Sequence, residues 1–289
     1  PRTGSDSYEV RRSRCLIWAV GEVGGCDVTR TGEAYAAAKA EGRAALVGYL
    51  PAGFPSYDGC LEGLRALVDN GVDIIELGLP YSDPVIDGPV IQAATERALR
   101  SGTRITDVLR TVEATVALGV PVAVMTYWNP VLAYGVERFA ADLKSAGGSG
   151  LITPDLLPDE AGDWLAASEA CDLERIFLVA PSSTPTRIAS TVAACRGWVY
   201  AASTMGVTGA RASTSSVAPD LVARTREATD LPVGVGLGVS TGAQAAEVAG
   251  YADGGSGGAA LVRCLLDATD DAAGVAAVGA LAKELAAGV

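Results

Sequence analysis

The stretch Val72-Asp73-Ile74-Ile75-Glu76-Leu77-Gly78-Leu79 runs straight into Pro80-Tyr81-Ser82-Asp83-Pro84-Val85-Ile86-Asp87-Gly88-Pro89. A short, nearly continuous apolar run suits a strand covered on both faces, as in a parallel sheet. The prolines and small polar residues after it mark a stiff loop. Working outward, comparable runs occur at Ala45–Leu50, Val120–Tyr127, Gly150–Thr153, Arg175–Ala180, Trp198–Ala202, Pro232–Gly238 and Ala252–Ala260, eight in all. Helical periodicity fills the gaps, clearest at Leu61, Leu64 and Val68 and at Ile105, Val108, Leu109 and Val112. Ser56 and Ser240 stand where helix caps belong, before the first and seventh of these helices. Parallel strands need crossovers of about a dozen residues. Eight such units over roughly 250 residues predict an α/β fold, a single-domain (β/α)8 TIM barrel, with a doubly wound open sheet as the alternative.

The eighth run is the weak member. Gly254-Gly255-Ser256-Gly257-Gly258 contains no β-branched residue, and by composition alone it is a flexible linker. Its place in the alternation, and the helical pattern that follows, assign it to a strand. Residues 1–30 break the pattern altogether. Arg11, Arg12 and Arg14 before the apolar run Cys15–Val20 imitate a signal peptide, but that run is too short and Glu22 follows at once. The expected division is a poorly ordered extension over 1–30 and a barrel domain over 31–289.

Composition narrows the chemistry. Of 289 residues, 49% are hydrophobic and 19% charged, enough apolar material for a large core, and no apolar run approaches a membrane span. The formal charge of −12 argues against nucleic acid and anionic membranes as partners. Six scattered cysteines without a C-x-x-C pair read as reduced thiols of a cytoplasmic protein, not as a zinc site. Histidine is absent, which excludes Ser-His-Asp and Cys-His catalysis and imidazole metal sites. No metal is expected. Acid–base work falls to carboxylates, Lys, Tyr or Cys.

In a barrel, the active site lies at the carboxyl ends of the strands. Glu76 interrupts an apolar strand there, where burial should raise its pKa toward the range useful for proton transfer. The bland alternative is a carboxylate paired with a buried Lys or Arg. Asp83 and Asp87, singly, read as turn residues or caps; with Glu76 they make the carboxylate group that a proton-shuttling lyase without histidine needs. The loop Ser203–Arg211 suits a lid or an ordinary surface loop. The glycines of Gly234–Gly238, weak evidence alone, join those of the eighth run as a candidate phosphate site, built as in many barrels from the last two βα loops.

The stretch Glu76–Gln92 resembles, nearly residue for residue, the signature of the tryptophan synthase alpha subunit family in its actinobacterial form. Tyr127-Trp128-Asn129-Pro130, Pro154-Asp155-Leu156, Gly206-Val207-Thr208-Gly209 and Gly236-Leu237-Gly238-Val239-Ser240 extend the resemblance over roughly residues 33–289. It implies retro-aldol cleavage of indole-3-glycerol phosphate to indole and glyceraldehyde 3-phosphate. By that match Glu76 is the acid/base and Asp87 stabilises the cation on the indole nitrogen. Tyr200 lies beside Glu76, Thr208 bonds Asp87, and Tyr49, Tyr127 and Leu237 line the indole pocket. Gly209, Gly238, Gly258 and Ala259 present backbone N–H groups to phosphate.

Asp83, Pro84, Asn129 and Pro158 match contacts with a beta subunit in an α2β2 assembly. Pyridoxal phosphate belongs to that partner, and this chain carries no cofactor. Alternatives are a freestanding indole-3-glycerol-phosphate lyase and a catalytically weak scaffold or activator of the beta subunit. A phosphosugar isomerase on the same barrel is disfavoured by the absent histidine.

Two departures stand out. The family's β-branched run in strand eight is replaced by glycines, which predicts a weakened strand, and its following serine is Ala259, which predicts one phosphate contact fewer.

Overall fold

The computed structural model describes residues 29–202, 217–236 and 238–289. The extension over 1–28 and the predicted site residues Thr208, Gly209 and Leu237 lie outside them. The described strands are β1 (Ala45–Pro51), β2 (Ile74–Gly78), β3 (Val122–Met125), β4 (Gly150–Ile152), β5 (Glu174–Ile176), β6 (Leu178–Val179), β7 (Val199–Ala202), β8 (Val233–Gly236) and β9 (Gly254–Gly257). All neighbours pair in parallel, in the order β5-β4-β3-β2-β1-β9-β8-β7-β6. The two ends of that order are consecutive in the chain, so the sheet closes into the (β/α)8 barrel.

The fifth run differs from expectation by splitting in two at the buried Phe177. Up to Ile176 the chain pairs with β4; from Leu178 it pairs with β7. One barrel staff thus serves two neighbours in succession, which is how the ring is closed. Ser56 caps the helix Tyr57–Asp69 as predicted, its side chain accepting from Gly59 N. The helix Gly242–Ala249 is capped instead by Thr241, which accepts from Gln244 N, while Ser240 donates both its N–H and its hydroxyl to Gln244 Oε1.

Two apolar layers result. Between sheet and helices lies the larger one, where Leu46 and Leu50 of β1 meet Leu64 and Leu67 among others. Inside the barrel a smaller cluster contains Val47, Ile74, Ala123, Ile152, Ile176, Trp198 and Tyr200. The first helix, Arg30–Ala40, closes the amino-terminal mouth by adding Tyr35 and Ala38 to that cluster. Buried Glu174 on β5 anchors it, accepting from Thr31 N at 2.9 Å and from Thr31 Oγ1 at 2.5 Å. With that end filled, only the carboxyl end of the barrel is left for a substrate.

The glycine-rich β9 is a true strand, paired with both β1 and β8. Its outward glycines are covered by neighbours. A Cβ at Gly255 would lie 3.3 Å from Val248 Cγ1, and one at Gly257 would lie 3.1 Å from Leu285 Cδ1. Side chains of the surrounding helices thus occupy the volume next to these glycines, which leaves little empty space there.

Candidate active site

Strand alternation sends every second residue inward. On β2 that places Ile74 in the barrel interior and Glu76 one layer above it, opposite Tyr49 of β1 in register. Glu76 is 2% exposed. Its hydrogen-bond partner is Ser256 of β9, whose Oγ donates to Glu76 Oε2 at 3.0 Å. Among the described residues, no Lys or Arg pairs with it. Burial is the main reason its pKa rises from 4.5 to about 7; Ser256 opposes the rise and nearby Asp87 adds to it.

Asp87 stands in the loop between β2 and the helix Pro89–Arg100. Its pKa is also raised, chiefly by burial, and Tyr127 opposes the rise through a hydrogen bond. The phenol of Tyr127 accepts from Ile86 N at 3.0 Å while it bonds Asp87. One side chain from the end of β3 therefore fixes two successive residues of the loop. Gln92 Nε2 adds a third tie, donating to Asp87 O at 2.6 Å.

Both carboxyls border one cleft, whose empty space is about 420 Å³ including its open mouth. Tyr49, Tyr200, Gly238, Gly258 and Ala259, all anticipated, line it too. Tyr127 is not among the lining residues; its phenol bonds Asp87, which is. Residues that sequence reasoning passed over are Ile91, Met125 and Ser256. Met125 and Ser256 could have been found from alternation, each two residues beyond an inward neighbour, Ala123 and Gly254 respectively.

Inside the barrel, glycines of β8 and β9 make room for aromatic rings. Tyr35, Trp198 and Tyr200 rise in a tilted stack through the barrel, with ring centroids 5.7 Å and then 5.2 Å apart. Their rings lie against Gly234 and Gly236 of β8 and Gly254 of β9. A Cβ at Gly236 would collide with the Tyr200 phenol, and one at Gly234 with Trp198 and Tyr35. Gly238 adopts φ +100°, a conformation that side chains rarely tolerate. Gly258 immediately precedes the helix Ala259–Leu266, whose first N–H groups are free of intrahelical partners.

The four predicted partner contacts lie on the segments that follow β2, β3 and β4. Asp83 accepts from Ser82 Oγ, Asn129 Nδ2 donates to Tyr81 Oη at 3.1 Å, and Pro158 opens a short 3-10 turn.

A family model described as tryptophan synthase alpha chain matches residues 35–289. The chain belongs to the tryptophan synthase alpha chain family. A member from Acidothermus cellulolyticus is 63% identical over 262 residues, covering 91% of this chain and 97% of that one. One from Mycobacterium intracellulare is 59% identical over 263 residues, covering 91% and 95%. A solved Mycobacterium tuberculosis tryptophan synthase superposes with a TM-score of 0.85 at 58% identity, covering 90% of this chain and 98% of that one. As a family member the chain is a lyase of tryptophan biosynthesis that cleaves indole-3-glycerol phosphate, and membership implies a beta-subunit partner. Among the described residues, no helix is long and apolar enough to cross a membrane.

Proposed function

We propose that Glu76 and Asp87 carry the cleavage between them. Glu76, protonated, delivers its proton to C3 of the indole ring; positive charge then appears on the ring nitrogen, whose N–H donates to ionised Asp87. The carboxylate left on Glu76 takes the proton of the adjacent glyceryl hydroxyl. The carbon–carbon bond breaks, its electron pair restores the aromatic ring, and the freed oxygen becomes the aldehyde of glyceraldehyde 3-phosphate. Glu76 ends as it began, protonated. A pKa near 7 suits a group that must both give and take.

The observation that carries this reading is a buried carboxyl, with no cation beside it among the described residues, sharing a cleft with a second carboxyl held by Tyr127. Tyr49 and Tyr200 offer the flat apolar walls an indole requires, and Leu237 and Thr208 complete them in our reading. Phosphate is received by backbone N–H groups of Gly209, Gly238, Gly258 and Ala259, favoured by the helix that starts at Ala259.

The beta subunit docks on Asp83, Pro84, Asn129 and Pro158. Exposed Val85, Leu132 and Leu157, at 68%, 50% and 47%, supply apolar surface beside them, the kind of patch that marks a protein interface. In this reading residues 31–289 form one barrel domain in a cytoplasmic α2β2 complex. Pyridoxal phosphate resides in the partner, and this chain needs no cofactor. An indole-release assay on the purified chain, with and without an added beta subunit, tests it. Strong stimulation by the partner is expected; rapid cleavage that the partner leaves unchanged would point to a freestanding lyase.

A further inference from the structure

We infer that Ser256 is a positioning residue for the cleavage, holding the Glu76 carboxyl by one oxygen and strengthening it as a proton donor to the indole carbon. The inference rests on the reading of Glu76 as the acid/base.

Ser256 sits on the inward face of β9, in register with Val47 of β1. Its hydroxyl reaches across β1 to Glu76 Oε2 at 3.0 Å, and both residues are buried. Neighbouring positions on the strand, Gly255 and Gly257, carry no side chain, and inward Gly254 makes room for Tyr35. In a run otherwise stripped of side chains, the one that remains is spent on the carboxyl. It also borders the cleft and is hydrogen-bonded to Tyr200.

The chemistry follows from which oxygen is engaged. A hydroxyl donated to Oε2 leaves Oε1 to carry the proton. As that proton moves to carbon, negative charge grows on the carboxylate, and a donor already in place gains strength without reorganising. Among the described residues, the ionisable groups that face Glu76 are Asp87 from the loop after β2, Tyr49 from β1, Tyr200 from β7 and Tyr35 from the first helix. As a carboxyl and phenols, they can add only negative charge when they ionise. Ser256 is the group that favours ionised Glu76.

The test uses the full chain with its beta subunit and the variants Ser256→Ala and Ser256→Thr. The Glu76 side-chain carboxyl is followed by carbon-13 NMR titration, its signal assigned as the one missing from Glu76→Gln. In Ser256→Ala that carboxyl is expected to titrate about one pH unit higher, with kcat for indole release down about tenfold and KM within about twofold. Ser256→Thr keeps the hydroxyl and should restore both. An unmoved titration in Ser256→Ala, or a Thr variant as impaired as the Ala variant, would overturn the inference. Full activity in Glu76→Gln would instead overturn the assignment of Glu76, a separate result that leaves the titration readout standing. Matching thermal melts of the three proteins exclude a folding defect as the cause.

Discussion

Two walls of the barrel, at β2 and at β8, are built on opposite plans. On the β2 side, chemistry is carried by side chains: Glu76 from the strand, Asp87 from the loop, Tyr127 bonded to it. On the β8 side it depends on absent side chains, since Gly234 and Gly236, with Gly254 of the neighbouring β9, leave the space that Trp198, Tyr200 and Tyr35 occupy. One wall loses function when a functional group is removed. The other loses it when even a methyl is added.

Removal on the first wall should have the largest effect. Glu76→Gln is expected to lower kcat for indole release by about 10³-fold or more, measured in the presence of the beta subunit, because proton transfer to carbon then lacks a donor. The same substitution should stabilise the fold at neutral and higher pH. Burial raises the pKa of Glu76 from 4.5 to about 7, so the folded chain holds that proton more tightly than the unfolded one. The resulting stability is present in full below the unfolded value and is lost as pH rises through the folded one. Thermal melts at about pH 8 should favour Glu76→Gln by up to about 3 kcal/mol, with the gap closing near pH 4.5. Asp87→Asn comes next, with an expected loss of about 10²-fold in kcat, since the amide cannot balance charge on the indole nitrogen.

Addition on the second wall should cost folding and activity together. Gly236→Ala drives a methyl into the Tyr200 phenol, and a destabilisation of about 1–3 kcal/mol in urea unfolding is expected, with KM raised as the ring is displaced. Tyr127→Phe sharpens the contrast, because it removes no group that borders the cleft. Losing the bonds to Ile86 N and Asp87 should lower kcat several-fold and leave the melting temperature within a few degrees. The smallest effect is expected on the outer face of β9. Gly255→Ala places a methyl 3.3 Å from Val248 Cγ1, a tight contact that offsets the reduced entropy of the unfolded chain, and should leave the melting temperature within a few degrees.

The walls also differ in how much of them the sequence discloses. Glu76 is conspicuous as a charge inside Ile74-Ile75-Glu76-Leu77, and the barrel follows from the recurrence of such runs, so fold and carboxylates are legible without coordinates. Tyr127 is legible as a residue near the site but not in its task, because the bond to Asp87 depends on how two separate loops meet. The glycine wall is hardly legible. Gly254–Gly258 looks like a linker because composition records missing side chains and not the neighbours that fill the space, Tyr35 at Gly254, Val248 at Gly255 and Leu285 at Gly257. Ser256 was hidden by the same glycines, its meaning set by a carboxyl 180 residues away. The closing split at Phe177 is likewise a property of the ring, which no single strand contains.

The central claim is that a carboxyl sealed inside the barrel donates a proton to the indole ring. Its most direct test is kcat/KM for indole release across about pH 5 to pH 9, with the beta subunit saturating, since this ratio reports ionisations of the free enzyme. The account predicts activity falling as pH rises through about 7, where Glu76 loses its proton. A profile flat across that range, its one inflection near the 4.5 of an ordinary glutamate, would contradict it.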